Sequence, residues 1–185
     1  MPILSEETFL YPNDLLTEPD HVEAGRRWYV LHTRPRQEKS VAREMLSEAA
    51  PFYLPVIQHR RRAKGRVVAP LIPLFTSYLF LHGNREHRLS ALKTNRLVKL
   101  LEVEDQDELW RDLRQLHHLM ASGLPVTKVD RLEPGDRVEI CSGPLAGLHG
   151  VVLRSATRRR FVIEVNFLQR GAAVEVDDYA IAPVE

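Results

Sequence analysis

The sequence predicts an α+β protein in which an N-terminal antiparallel β-sheet flanked by helices is joined by a linker to a small five-stranded β-barrel. Strand-like and helix-like segments alternate as far as Met120, whereas every periodic segment beyond Arg131 is strand-like. Glycine and proline also interrupt that second part at short intervals, as they do in small barrels. We therefore assign residues 26–121 to the first domain, 122–131 to the linker and 132–185 to the barrel.

Composition limits the functions that the chain can have. Apolar residues make up 44% of its 185 residues, so a packed core is expected. The formal net charge is only +1, so any nucleic acid would have to bind local basic patches. The single cysteine suits a reducing compartment. The most apolar stretch, Leu71 to Leu81, is too short to span a bilayer, so we expect a cytoplasmic protein without membrane contact.

Residues 1–25 predict a disordered acidic extension. Three prolines interrupt this segment, and its apolar residues follow no helical or strand period. It carries six acidic residues and no lysine or arginine, which is the wrong charge for a signal or transit peptide.

The elements of the first domain follow the predicted order β-α-β-β-β-α. Trp28 to Leu31 is aromatic and β-branched, which favours a strand, and the helix after Arg36 places Val41, Met45 and Leu46 at core spacing. The continuous apolar run from Pro73 to Leu81 is typical of a central strand. The remaining predicted elements are hairpin strands within 52–57 and 67–71, a short helix or loop at 86–93, a strand at 97–101, and a helix from Asp105 or Asp107 to Met120.

The second domain shows only strand signals. Val138 and Ile140 alternate with charged residues, and Gly143, Gly147 and Gly150 lie where turns or close backbone approaches are expected. Further strands are predicted at 151–153, 161–168 and 174–176.

Several segments together resemble the NusG family. The run from Glu133 to Val152 resembles the KOW motif of small barrels. The other similar segments, which correspond to the family's N-terminal (NGN) domain and to the end of its KOW domain, are Trp28–Thr33, Pro73–Leu81, Asn95–Val98 and Phe167–Gly171. The resemblance covers about residues 26–185 and is nearest to specialised paralogues of the RfaH type, because the hairpin tip is short and basic. Thr76–Ser77 departs from the family's usual Pro-Gly or Pro-Asn.

The resemblance implies a transcription elongation or antitermination regulator that binds RNA polymerase and is not an enzyme. In the family, the NGN domain docks on the polymerase clamp through an apolar hollow. The residues that map to polymerase contacts are Phe75, Tyr78 and Phe80, with Tyr29 and Leu97 as weaker candidates, and Arg88 and Ser90 toward the opposite side of the polymerase cleft. One face of the strand must also be core, so we expect alternate aromatic residues to be structural and favour Phe75 and Tyr78 for the partner.

Two basic clusters are the candidate nucleic-acid contacts. The first cluster is Arg34, Arg36, Lys39 and Arg43. The resemblance implies that this cluster contacts the non-template DNA strand. The second is unusually dense and favours upstream duplex DNA or nascent RNA; it consists of Arg60, Arg61, Arg62, Lys64 and Arg66 at the hairpin tip. An ordinary solvated surface is the alternative for either cluster.

The KOW domain implies a second partner, which in this family is a ribosomal protein, rho or another antitermination factor. The alternative function is a KOW-containing ribosome-associated or RNA-binding protein, against which the NGN-like half argues. We expect a monomer. We expect no cofactor or metal, because the eight histidines show no ligand spacing and no phosphate-binding loop or nucleophile motif occurs. Cys141 is predicted to be a small buried residue on a strand.

Overall fold

The computed structural model describes residues 7–17, 25–154, 158–176 and 181–184. The chain forms two compact units, Met1–Glu104 and Asp105–Glu185. The described part of the first unit contains, in chain order, β1 (Leu10–Tyr11), β2 (Arg27–Thr33), α1 (Glu38–Ser47), β3 (Phe52–Tyr53), β4 (Val56–Gln58), β5 (Arg61–Ala63), β6 (Arg66–Val68), β7 (Leu71–Pro73), β8 (Tyr78–Gly83), α2 (Arg85–Lys93) and β9 (Leu97–Glu102).

An antiparallel sheet with the strand order β1-β3-β8-β2-β9 organises the first unit. The two longest neighbours, β2 and β8, pair from Arg27 opposite Gly83 to His32 opposite Tyr78. Because side chains alternate between the faces of a strand, Leu31 and its neighbour Leu79 fall on the face that α1 and α2 cover. The core of the unit lies between this face and the helices.

The predicted helix α1 is confirmed, and the segment 86–93, predicted as a short helix or a loop, forms a helix. Val41 and Met45 of α1 are fully buried, as their spacing predicts. Helix α2 begins after Asn84, whose side chain accepts a hydrogen bond from the backbone N–H of His87 at 3.0 Å. This cap satisfies one of the backbone donors that have no partner within the helix, so α2 is a helix and not a loop.

The apolar run from Pro73 to Leu81 is not one continuous strand, and this part of the prediction is wrong. A turn that runs from Phe75 to Tyr78 separates β7 from β8, with Ser77 at φ 67°. The backbone N–H of Ser77 donates a 2.7 Å hydrogen bond to Oε1 of Glu38, which is buried at the start of α1. The turn therefore satisfies a buried carboxylate, a long-range requirement that a hydrophobic pattern does not encode.

The prediction of a disordered extension is wrong for residues 7–17, whereas residues 1–6 and 18–24 lie outside the described residues. Strand β1 pairs with β3, and the carbonyl of Phe9 accepts a 2.7 Å hydrogen bond from the N–H of Leu54. Leu15 and Leu16 are each 1% exposed. This segment thus buries apolar side chains even though they follow no regular period, because an irregular segment can pack without being a helix or a long strand.

The second unit contains a helix and a sheet. Its described elements are α3 (Gln106–Ala121), β10 (Thr127–Val129), β11 (Asp136–Ile140), β12 (His149–Arg154), β13 (Arg159–Val165), the 3₁₀ turn Asn166–Leu168, β14 (Arg170–Glu175) and β15 (Ile181–Pro183). The antiparallel sheet has the order β10-β14-β13-β12-β11-β15, which fits a small KOW-like barrel with six described strands and not the five predicted. The additional strand β10 comes from the segment predicted as a linker, because residues 127–129 pair with β14.

Helix α3 belongs to the second unit, although the sequence analysis places it at the end of the first domain. Its predicted start is confirmed, since the Asp105 side chain accepts a 2.8 Å hydrogen bond from the N–H of Glu108. The helix packs along β13. Two of its side chains also accept backbone hydrogen bonds: Asp112 from Asn166 at 2.9 Å, and Gln115 from His149 at 2.7 Å.

Candidate nucleic-acid interface

The basic hairpin formed by β5 and β6 is the most highly charged exposed feature of the first unit. Its two-residue connection places Lys64 at φ 48° and Gly65 at φ 76°, and the flanking residues Ala63 and Arg66 pair directly. Two successive positive φ values are the geometry of the tight hairpin turns whose twist matches that of the strands, and glycine adopts it without steric cost. The sequence therefore folds this tip into a defined hairpin and not a loose loop.

All five cations of the predicted tip cluster are exposed. None of them forms an ion pair among the residues that the structure describes; they are Arg60, Arg61, Arg62, Lys64 and Arg66. On the same hairpin, Val67 is 69% exposed. The tip thus presents uncompensated positive charge, interrupted by apolar surface, on a chain whose formal net charge is only +1.

The other predicted cluster, Arg34, Arg36, Lys39 and Arg43, lies at the start of α1, and its members differ in their surroundings. Arg34 and Arg36 are exposed, and the backbone N–H of Arg34 donates a 2.8 Å hydrogen bond to the carbonyl of Arg96. Lys39 and Arg43 are both ion-paired to Glu7, at 2.9 Å and 3.4 Å. Only part of this cluster is therefore uncompensated in the described structure.

Arg96 was not identified as a member of this region by the sequence analysis, which used it only as part of a family-like segment. Its Nε lies 2.9 Å from Oε1 of Glu44, and its Nη1 donates to Oε1 of Gln37 at 2.5 Å. A cavity of about 370 Å³ is lined by Arg34, Pro35, Gln37, Asn95 and Arg96. Arg96 thus ties the start of β9 to α1, a contact across 52 to 59 residues that no local pattern indicates.

Of the three aromatic residues predicted to anchor polymerase, two are interior residues. Phe75 is 1% and Phe80 0% exposed, and their rings meet edge to face with centroids 6.2 Å apart. Tyr78 is half-buried and stacks on His32, with ring centroids 4.9 Å apart and an angle of 15° between the planes. Within this set only Tyr78 presents surface.

The other predicted polymerase contacts lie on the helix-covered face of the sheet and on α2, on the opposite side of the sheet from Tyr78. The half-buried ring of Tyr29 is covered by the guanidinium of Arg88, 5.9 Å from the ring centre, and Arg88 is also ion-paired to Glu102 at 3.3 Å. Ser90 lines a shallow cavity of about 390 Å³ between α1 and α2. Leu97 is half-buried against the core of the unit.

Two further features bear on the chemistry of the chain. Cys141 is exposed, so the prediction that it is buried is wrong; it lies one residue beyond the end of β11, where the barrel no longer covers it. Within the described ranges, no group of three or more histidine, cysteine, aspartate or glutamate side chains is arranged to hold a metal ion.

No helix within the described residues is both long enough and apolar enough to cross a membrane.

Comparison with known proteins identifies the family. The model of a family described as "Transcription termination factor nusG" matches residues 26–122, which is more than half of the chain. Among solved structures, the chain is similar to Thermotoga maritima NusG, solved in a structure of its domain interaction, at 18% identity over 82% of this chain and 93% of that one, with a TM-score of 0.42. It is also similar to the MjSpt4:Spt5 complex, at 15% identity over 83% of this chain and 99% of that one, with a TM-score of 0.29. No curated protein matches the chain. On the sequence match, this chain belongs to the NusG family of transcription factors.

Proposed function

We propose that this protein is a transcription elongation or antitermination regulator. Its first unit binds RNA polymerase and the nucleic acid of the transcription bubble, and its second unit recruits a further factor. Membership of the NusG family supports the general role in transcription. The observation that carries the proposal is the exposed basic hairpin, on which five cations have no described ion-pair partner.

The hairpin suits upstream duplex DNA or nascent RNA. Each phosphate that a lysine or arginine neutralises releases condensed counterions, and this release drives binding without any sequence requirement. The five cations of the hairpin form no described ion pair, so binding a phosphate would not break one, and the gain from counterion release is not offset. Arg34 and Arg36, exposed at the start of α1, offer a second contact for the single-stranded non-template strand.

The polymerase surface centres on Tyr78. Half-buried aromatic rings make good anchors, because they lose little conformational freedom and add large apolar area. Phe75 and Phe80 support it from the interior. Tyr29, Leu97, Arg88 and Ser90 lie on the helix-covered side of the sheet, so in this proposal they form a separate second contact with the polymerase. Burying one such ring gains roughly 1.5–3 kcal/mol, whereas association costs an estimated 4–15 kcal/mol. Polymerase binding therefore requires the nucleic-acid contacts as well.

The second unit carries its own candidate docking residue. Phe167, in the 3₁₀ turn between β13 and β14, is 38% exposed. An exposed phenylalanine on a small barrel is an anchor for a protein partner, in this family a ribosomal protein, rho or an antitermination factor. The factor would thereby be held beside the polymerase, where its effective concentration is high.

The proposal is tested by charge reversal at the hairpin. We expect the pair R61E and R62E to weaken binding to a nucleic-acid scaffold with upstream duplex by at least about tenfold at 0.1 M salt, and to flatten the slope of log K against log salt by about two units. The matched control, R111E with R131E, reverses two exposed arginines in the second unit. Fluorescence anisotropy at four salt concentrations measures both quantities. Equal slopes for the wild type and the hairpin variant would exclude the hairpin from nucleic-acid binding.

A further inference from the structure

The N-terminal segment 7–17 places a carboxylate between two cations of the α1 cluster. Oε2 of Glu7 lies 2.9 Å from Nζ of Lys39, and Oε1 of the same carboxylate lies 3.4 Å from Nη1 of Arg43. Nζ of Lys39 is also 5.6 Å from the ring centre of Phe9. A carboxylate that bridges two cations occupies the position that a phosphate oxygen would take on the same helix.

This carboxylate is held in place by the packing of the segment that carries it. Beyond Glu7, the Phe9 carbonyl accepts the hydrogen bond from Leu54, β1 pairs with β3, and Leu15 and Leu16 are buried. Exposed ion pairs are individually weak because water and salt screen them. A tethered carboxylate, however, competes at a high effective concentration, so it re-forms its pairs each time they open.

We propose that Glu7 is an intramolecular competitor that lowers the affinity of α1 for nucleic-acid phosphates by occupying Lys39 and Arg43. A phosphate backbone must displace Glu7 before it gains these two cations, whereas Arg34 and Arg36 stay available at the start of the helix. The segment therefore weakens sequence-independent binding of single strands. The inference rests on the proposed nucleic-acid role of α1.

The expected effect is modest and depends on salt. Because the pairs are partly exposed, E7Q is expected to tighten binding of a labelled single-stranded oligonucleotide by about two- to fivefold at 50 mM salt. The gain is expected to shrink as salt rises toward 0.3 M, since screening weakens the Glu7 pairs in the wild type. A purely structural effect of the substitution would not shrink in this way.

The experiment compares four full-length proteins by fluorescence anisotropy: the wild type, E7Q, the triple variant E7Q with K39Q and R43Q, and the control E104Q. The control removes one exposed carboxylate far along the chain, so it reports the effect of net charge alone. The proposal predicts a gain for E7Q, loss of that gain in the triple variant, and no gain for E104Q. A gain that survives in the triple variant, or that E104Q reproduces, would overturn it.

If E7Q binds as the wild type does, the competition is refuted, and a fifth protein, K39Q with R43Q, then decides the broader proposal. Weaker binding by this pair would show that α1 contacts nucleic acid without regulation by Glu7. Unchanged binding would remove α1 from the proposed interface as well.

Discussion

At the scale of single residues, burial decides what each polar or aromatic side chain can do. Asp112 of α3 is 8% exposed, and burial raises its pKa to about 6, although the backbone N–H of Asn166 favours the charged form. Phe80 and Tyr78 are both aromatic and lie on the same face of β8. Phe80 is nevertheless buried, whereas Tyr78 reaches the surface. Residue type alone does not distinguish such positions; their distance from the edge of the packed core does.

The raised pKa of Asp112 predicts how the stability of the second unit depends on pH. The folded state holds the proton more tightly than the unfolded chain, whose aspartate pKa is about 3.9. Protonation of Asp112 therefore adds stability that is fully present below about pH 4 and is lost as pH rises through about 6. We expect D112N to keep an oxygen acceptor for Asn166, to raise the free energy of unfolding by roughly 1 kcal/mol at pH 7.5, and to match the wild type near pH 3.5. Urea unfolding at the two pH values checks this, and a difference that persists at pH 3.5 would contradict it.

At the scale of elements, α3 is a predicted helix whose contacts group it with the second unit, although the family match over residues 26–122 includes it with the first domain. Its predicted start at Asp105 is confirmed, and its apolar face buries Leu109, Leu113 and Leu116. An apolar stripe indicates that the helix packs against another element, but it does not indicate which element. Asp112 accepts a hydrogen bond from Asn166, and Gln115 accepts one from His149. These bonds fix the helix to specific positions of the second unit.

The position of α3 predicts where the second unit can be cut. We expect a fragment of residues 105–185 to unfold cooperatively. Its free energy of unfolding is expected to exceed that of a fragment of residues 123–185 by at least about 2 kcal/mol. The reason is that removing α3 exposes β13 and leaves the backbone N–H groups of His149 and Asn166 without the side chains that accept from them. Thermal and urea unfolding followed by circular dichroism measure the difference. Equal stability of the two fragments would place the boundary after the helix, as the sequence analysis does.

At the scale of the whole molecule, charge is concentrated locally while the total is near neutral. With a formal net charge of +1, the chain has little long-range attraction for nucleic acid, so the proposed contacts depend on the hairpin and on the start of α1. In the cluster at the start of α1, the ion pairs of Glu7 with Lys39 and Arg43 leave only Arg34 and Arg36 without a described carboxylate. Such a distribution favours a protein that binds nucleic acid only where a second partner already holds it nearby.

The proposed division of tasks between the units gives a test on the full chain. We expect Y78A to reduce retention of core RNA polymerase by at least about tenfold, equivalent to about 1.4 kcal/mol, because it removes the half-buried ring at the centre of the proposed polymerase surface. We expect F167A, which removes an exposed ring from the second unit, to leave polymerase retention unchanged and to reduce binding of the further factor. Pull-down with purified polymerase measures both, after unfolding curves confirm that each variant is folded. Loss of polymerase with F167A but not with Y78A would reverse the assignment.

The sequence by itself determined the α+β class, the helices α1 and α3, the central strands β2 and β8, the basic hairpin and the family. The structural features follow from local periods, caps and turn residues, in which each residue's neighbours along the chain supply the physical cause. The family follows from the resemblance of whole segments, which the family match confirms. Only the tertiary structure decided that residues 7–17 are packed, that a turn at Ser77 shortens β8, that β10 joins the second sheet, and that α3 belongs to the second unit. It also decided that Phe75 is interior and that Glu7 is paired with Lys39 and Arg43. Each of these outcomes depends on contacts between residues far apart in the chain, and the free energy of such contacts is set by the whole fold.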